Sequence, residues 1–394
     1  MKKVLLLVPL ICSVIILSAQ KDFKWKFSTS GRIYATPLID GNRVYIGSGD
    51  SVFYAIDKTN GTNIWSFKTA GAIQSSASKS DNLIMFGCTD GNLYALEKET
   101  GKLSWKFSSE GEKVKDMWDY YQSSPVTANG IVYWGSGDGH MYALDAKTGQ
   151  LVWKYLTEGI VHTDAAVRDD KVYFGSYDGN LYALSADKGE LIWKFKTVGD
   201  TYFPKGDIQR GALIDSNIVY FGSRDYNIYA LSAKTGRGKW NMKERGSWII
   251  ATPYSYKGYL YFGTSDTHRF YCLRKSDGEV IWSIPLNMRA YGSAVAKDDI
   301  VYFGCFNGKL YGVDYKTGKI RSEFKTDGCK ANYSNVYDKN GKFREDFELY
   351  GKDYINSERI IHTLGSILST PVIDGNVIYF GSSDGGLYAV DIAL

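Results

Sequence analysis

The sequence predicts an all-β protein, an eight-bladed β-propeller of four-stranded antiparallel sheets. Three observations carry that expectation. One four-strand unit recurs eight times along the 394 residues, the copies keep a fixed internal spacing, and the strand missing from the last copy stands at the other end of the chain.

In the clearest copy, residues 123–128 (SSPVTA) predict a short first strand, A. Residues 131–135 (IVYWG) are apolar, aromatic and β-branched, which suits a buried strand B. The SGDG at 136–139 supplies the Asp-Gly pair of a tight hairpin turn. Residues 141–145 (MYALD) form strand C, the AKTG at 146–149 turns again, and residues 151–155 (LVWKY) form strand D.

The glycine ending strand B and the tryptophan in strand D serve as a ruler. The glycines are Gly47, Gly87, Gly135, Gly175, Gly222, Gly263, Gly304 and Gly381. The tryptophans are Trp65, Trp105, Trp153, Trp193, Trp240 and Trp282, with Ser322 in the seventh copy. The step between them is 18 residues in six of these seven copies and 19 in the sixth, the mark of one copied supersecondary unit. The eighth copy, residues 381–394, stops before its strand D, whereas residues 23–28 (FKWKFS) carry Trp25. With residues 1–20 removed the two ends join in register. The N-terminal strand is therefore expected to complete the last sheet and leave no open seam.

Composition agrees. The chain is 44% hydrophobic and 15% aromatic, with 42 glycines and 31 tyrosines, as many strands joined by tight turns require. Its formal charge is +4, or +2 without Lys2 and Lys3, and no basic run argues for a nucleic-acid partner. Lys2, Lys3 and the apolar stretch 4–17, followed by Leu17-Ser18-Ala19, predict a signal peptide over residues 1–20 and one propeller domain over 21–394. Membrane contact is then expected only by association or through an uncleaved signal anchor. Cys12 follows Pro9-Leu10-Ile11, which lacks the small residue expected before a lipidated cysteine. Cys88, Cys272, Cys305 and Cys329 form no CxxC, so no metal site is expected from them.

The text ALDAKTGQLVW at 143–153 resembles the tryptophan-docking motif of the pyrroloquinoline-quinone (PQQ)-like propeller repeats, and related text stands at 55–65, 95–105, 183–193, 230–240, 272–282 and 312–322. The resemblance covers essentially all of residues 21–394. It implies that Trp25, Trp65, Trp105, Trp153, Trp193, Trp240 and Trp282 are structural, each packing on the next blade. The turn aspartates Asp50, Asp90, Asp138, Asp178, Asp225, Asp266 and Asp384, replaced by Asn307 in the seventh copy, are expected to bond their own backbone.

Function must lie where the copies differ. From the strand-D marker to the next strand-B glycine the common step is 22 residues, but Trp105 to Gly135 takes 30, Trp193 to Gly222 takes 29 and Ser322 to Gly381 takes 59. Insertions are thus expected at about 108–121, 199–208 and 327–364. All three lie in D-to-A connectors and so on one face, where long loops on a rigid scaffold tend to carry binding. The third holds too many aromatics for a disordered tract and is expected to fold over that face. Cys305 and Cys329 fall there together, as a possible disulfide or as two buried thiols.

The residues just before strand A should ring the channel mouth on this face. They include Tyr34, Gln74, Gln122, His162, Gln209 and Tyr291. Blades 4 and 5 add Asp164 and Arg210, either a ligand-binding pair or a self-satisfied ion pair. Trp118 and Tyr202 in the insertions complete the ligand-binding candidates. The favoured reading is an exported, non-catalytic binding or scaffold propeller of the periplasm or cell surface. Its partner would be an envelope protein or a small-molecule or carbohydrate ligand, with no cofactor. The chain is similar in size and blade number to the propeller lipoprotein of outer-membrane β-barrel assembly. The alternative is a quinoprotein dehydrogenase of alcohols or sugars that holds PQQ and Ca²⁺ at the channel mouth. Against that alternative, no adjacent cysteine pair occurs, and Asp164 is the one carboxylate at the strand-A starts suited to calcium. A third reading makes His162 and Asp164 an acid–base pair acting on carbohydrate.

Overall fold

The computed structural model describes residues 23–392. The expected signal peptide and Cys12 lie outside the described residues.

Thirty-two strands form eight four-stranded antiparallel sheets arranged as an eight-bladed propeller. Blade 1 takes strands A to D from Leu38–Asp40, Arg43–Gly47, Val52–Asp57 and Asn63–Lys68. Blade 8 takes A to C from Val372–Asp374, Val377–Gly381 and Gly386–Asp391. Its fourth strand is Trp25–Ser28, paired with Trp25 opposite Ala389 and Ser28 opposite Gly386. The ring is closed by the two ends of the chain, as the spacing predicts.

Burial follows position in the blade. Strands B and C lie between neighbouring sheets and are apolar on both faces, as in Arg43–Gly47 and Gly386–Asp391. Strand D is the outer edge and alternates, with Trp153 buried between exposed Val152 and Lys154. Rings stack between blades, Phe53 on Phe86 at 4.1 Å and Phe270 on Phe303 at 3.6 Å between centroids.

Each docking indole crosses to the next blade. The Trp153 N–H donates to the Ala186 carbonyl at 2.9 Å, and its ring lies against Gly189 in the C–D turn. Gly189 has φ +70°, and a Cβ there would come within 2.7 Å of the indole, so both backbone conformation and contact demand glycine. The turn aspartates are local. Asp178 accepts from the backbone N–H of Asn180 at 2.8 Å and from the Tyr182 hydroxyl at 2.6 Å, and Asp138 does the same for His140 and Tyr142. Asp266 departs from this pattern, as described below.

The third insertion is the one helical region among the described residues. Helix α1 (Asp327–Asn332) starts at Thr326, whose hydroxyl accepts from the Cys329 N–H at 3.1 Å. Helix α2 (Tyr354–Thr363) buries Glu358, Ile361 and His362. The segment folds over the channel mouth, as its aromatic content predicts. The possible disulfide is not formed. Cys305 and Cys329 are both buried free thiols, and the Cys305 thiol is turned instead toward the Met288 carbonyl at 3.5 Å.

Candidate functional site

The three insertions meet and make one cap over the channel mouth. The first is anchored by two buried charge clusters. His162, at the start of strand A in blade 4, receives Asp119 on Nδ1 at 3.0 Å and Glu112 on Nε2 at 2.6 Å. The Asp119 carboxylate also accepts from the Tyr177 hydroxyl at 2.6 Å and the Lys115 N–H at 2.9 Å. Burial works against a charged imidazole here, but the bonds to Asp119 and Glu112 outweigh it and raise the His162 pKa to about 9. Burial also disfavours the Asp119 carboxylate, and the His162 bond more than compensates, so its pKa is lowered.

Arg224 makes the second anchor. Its guanidinium bonds Asp116 at 2.5 and 3.2 Å, and its Nε donates to Gln209 Oε1 at 3.0 Å. Gln209 in turn donates to the Trp118 carbonyl at 2.9 Å. Arg224 lies 4.3 Å from the centre of Trp248, which meets Trp118 and the Phe203 of the second insertion edge-on.

Arg289 anchors the third insertion. Nearly fully buried, it holds both oxygens of Glu358 on α2 at 2.9 Å and donates to the Tyr350 hydroxyl at 2.8 Å. The Tyr350 hydroxyl donates to Asp266, so this one turn aspartate is given over to the cap. Tyr120 and Trp118 of the first insertion reach α2 as well, through Glu358 and a stack on Tyr354.

The cap uses most of the residues expected to face a ligand. Tyr34 and Tyr291 are buried and pack with Tyr120, Phe306 and His362 across the mouth. His362 is held neutral there, burial lowering its pKa to about 3 with help from Arg32 and Arg289. His162 and Gln209 are committed to the loop anchors, and Gln122 is buried. Gln74 and Tyr202 take no part in these anchors. Gln74 lines an open groove of about 540 Å³ with Arg32, Val114 and Met117 between blades 1 and 2 and the first insertion. Tyr202 is 79% exposed on the second insertion.

Asp164 and Arg210 come together, 3.8 Å apart, with the guanidinium over the Tyr121 ring at 4.1 Å. Asp164 has a second role. The Thr36 N–H donates to Ser76 Oγ at 2.9 Å, Ser76 N–H to Ser124 Oγ at 3.0 Å, and Ser124 N–H to Asp164 Oδ1 at 2.7 Å. The carboxylate thus continues a blade-to-blade chain that hydroxyls form elsewhere.

The sequence reading missed Glu112, Asp116, Asp119, Glu358, Arg224 and Arg289. The arginines carried a signal. Arg224 follows strand B, where the other copies have Gly49, Thr89, Gly137, Tyr177, Ser265, Phe306 and Ser383. A charge at such a crowded position calls for a carboxylate from outside the repeat.

A glutamate–histidine–aspartate row suggests acid–base chemistry. Both ring nitrogens of His162 are already bonded and all three groups are buried, so no nitrogen faces a substrate. A PQQ with its calcium does not fit the residues present. Tyr34, Tyr120, Tyr291, Phe306 and His362 fill the mouth. Among the described residues no three His, Cys, Asp or Glu groups converge as a metal site.

The family model described as "Outer membrane protein assembly factor BamB" matches residues 13–118, 69–284 and 203–344. No curated protein sequence matches the chain. Among solved structures, BamB from Moraxella catarrhalis matches with TM-score 0.70 at 16% identity, over 94% of this chain and 99% of that one. The quinohemoprotein alcohol dehydrogenase from Comamonas testosteroni matches with TM-score 0.71 at 14% identity, over 94% and 76%. The computationally designed protein Ika8 matches with TM-score 0.68 at 17% identity, over 93% and 98%. At these identities the structures share the propeller fold.

Proposed function

We propose, for a chain that belongs to the family of the outer membrane protein assembly factor BamB, that it is a non-catalytic docking propeller of the cell envelope. The capped face engages a partner protein, and the scaffold holds that face rigid. Given the family, a component of outer-membrane assembly is the partner class to test first.

The observation that carries this reading is the placing of exposed apolar side chains. Val114, Val198, Tyr202, Tyr350, Tyr354 and Ile355 are exposed on or beside the three insertions. Every other exposed large hydrophobic among the described residues lies on a strand D, the outer edge of a blade. Apolar groups held up on buried salt bridges at one rim suit protein contact. A closed channel mouth suits it better than it suits a small substrate. No helix among the described residues is long and apolar enough to cross a membrane.

The test compares wild type with the triple variant Val114→Ser, Tyr202→Ala, Ile355→Ser as baits on envelope extract. The wild type should retain a defined protein that the variant, with unchanged melting temperature, releases. Equal retention by both would sink the docking face. Stoichiometric uptake of PQQ with Ca²⁺ and dye-linked oxidation of alcohols or sugars would replace the reading with the dehydrogenase.

A further inference from the structure

Seven of the eight seams between blades are closed the same way. An indole N–H from strand D donates to the carbonyl just after strand C of the next blade, Trp25 to Lys58, Trp65 to Lys98, Trp105 to Ala146, Trp153 to Ala186, Trp193 to Ala233, Trp240 to Lys275 and Trp282 to Tyr315, at 2.8–3.2 Å. The eighth seam, between blades 7 and 8, has no indole. The register position is held by Ser322, opposite Gly312, as Trp153 stands opposite Ala143.

Most of the socket is present, although the C–D turn glycine on which each of the seven indoles lies has no counterpart among the described residues of blade 8. Strand B of blade 7 offers Tyr302, the counterpart of the tyrosines that pack on the docking indoles, such as Tyr133 on Trp153 and Tyr261 on Trp282. In five other blades that tyrosine hydroxyl shares the indole's acceptor, as Tyr133 does at Ala186 and Tyr261 at Tyr315. Among the described residues the Tyr302 hydroxyl has no such partner. The carbonyl corresponding to Ala186 belongs to Ile392, whose N–H is bonded to Asn376 as Ala186 N–H is to Asp170. What is left is a cavity of about 450 Å³ whose lining joins apolar Tyr302, Phe324, Ile378 and Ile392 to charged Glu323, Lys330 and Asp391.

We propose that this seam is a second docking site, which receives the indole of a tryptophan carried by a partner polypeptide. The occupant's chemistry is set by seven internal precedents: a flat apolar ring against the tyrosine, with one N–H aimed at the carbonyl after strand C. The chain does not supply that ring itself. All ten tryptophans of the sequence stand elsewhere: seven hold the other seams, Trp118 and Trp248 meet in the cap, and the Trp134 N–H donates to the Ser123 carbonyl in blade 3. The site is separate from the capped face and does not depend on it. Strand D of blade 8 comes from the other end of the chain, so among the described residues no C–D turn joins strands C and D of blade 8 beside the socket.

Ser322→Trp fills the socket from within, and the small Gly312 opposite leaves room for it. The experiment selects displayed random peptides on the full wild-type chain with counter-selection on Ser322→Trp. Peptides with tryptophan enriched at one position are expected. Their Trp→Ala versions should lose about tenfold or more in affinity. N-acetyl-tryptophanamide should compete with them. Ser322→Trp should bind none of them and melt higher than wild type. Ser322→Leu, which fills less of the cavity, is the second variant should the first not fold. Selected peptides without a fixed aromatic, or peptides that bind Ser322→Trp or Ser322→Leu as well as wild type, overturn the proposal. So does concentration-dependent dimerisation of wild type that Ser322→Trp abolishes, since the occupant would then be a second copy.

Discussion

The Tyr120 hydroxyl donates to Oε1 of Glu358, which ties the first insertion to α2 of the third across the channel mouth. The same carboxylate accepts from Arg289 Nη1 on both oxygens, so one side chain joins two insertions and the propeller wall. Glu358→Ala leaves the buried Arg289 without its main countercharge, a loss of about 3–5 kcal/mol. The expected outcome is local. Hydrogen exchange should speed up in residues 115–121 and 354–363 while blades 2 to 4 keep their protection. Replacing both partners, Glu358→Leu with Arg289→Met, should recover most of that protection. Equal protection in wild type and Glu358→Ala would show that the carboxylate does not hold the cap.

The His162 clamp gives the cap a pH limit. The folded pKa, about 9, lies above the ordinary histidine value of 6.5, so the folded state binds the proton more tightly. That contribution is complete below about 6.5 and is lost as pH rises through about 9. Exchange in residues 109–121 should therefore be slow at pH 7 and markedly faster at pH 10, after correction for intrinsic rates. The His162→Gln variant should show fast exchange at both values. Insensitivity of wild type across that range would mean that the imidazolium does not pin the loop.

The scaffold was legible because its rules are local and repeated. A glycine, a turn aspartate and a tryptophan at constant spacing describe one blade, and the count of copies with the displaced Trp25 strand describes the ring. The anchors of the cap were not legible, because each pairs a loop residue with a distant one. Glu112 and Asp119 reach His162 from an adjoining blade's connector, and Glu358 reaches Arg289 across 69 residues. Nothing in the repeat specifies those partners. Asp266 misled for a related reason. It stands in the one copy whose internal step is longer, and there the carboxylate turns to Tyr350 instead of the strand-C backbone.

The docking indoles carry the seams, so their loss should be costly and cooperative. Trp153 is 8% exposed and joins blades 3 and 4 through Tyr133, Ala186 and Gly189. Trp153→Ala should cost about 3–5 kcal/mol in urea unfolding. Trp153→Phe should cost less, since it keeps most of the apolar area and loses the N–H bond. Gly189→Ala attacks the same contact from the other side, with a strained φ added, and should be as damaging as removing the indole. Full stability in Gly189→Ala would contradict that account.

Asp164 and Arg210 offer a test of structure against binding at the channel wall. Asp164→Ala removes the acceptor of the Ser124 N–H and the charge facing the buried Arg210, and should cost about 2–4 kcal/mol. Asp164→Ser restores the hydroxyl that Ser76 and Ser124 provide in the preceding blades, yet still leaves Arg210 without a countercharge. The double variant Asp164→Ser, Arg210→Ser rebuilds both positions as blade 3 has them, in Ser123 and Ser124. It should be more stable than either single serine variant. If the double variant is as stable as wild type and keeps its partner, the pair serves the channel wall alone. If it is stable but loses the partner, the charges belong to the docking machinery after all.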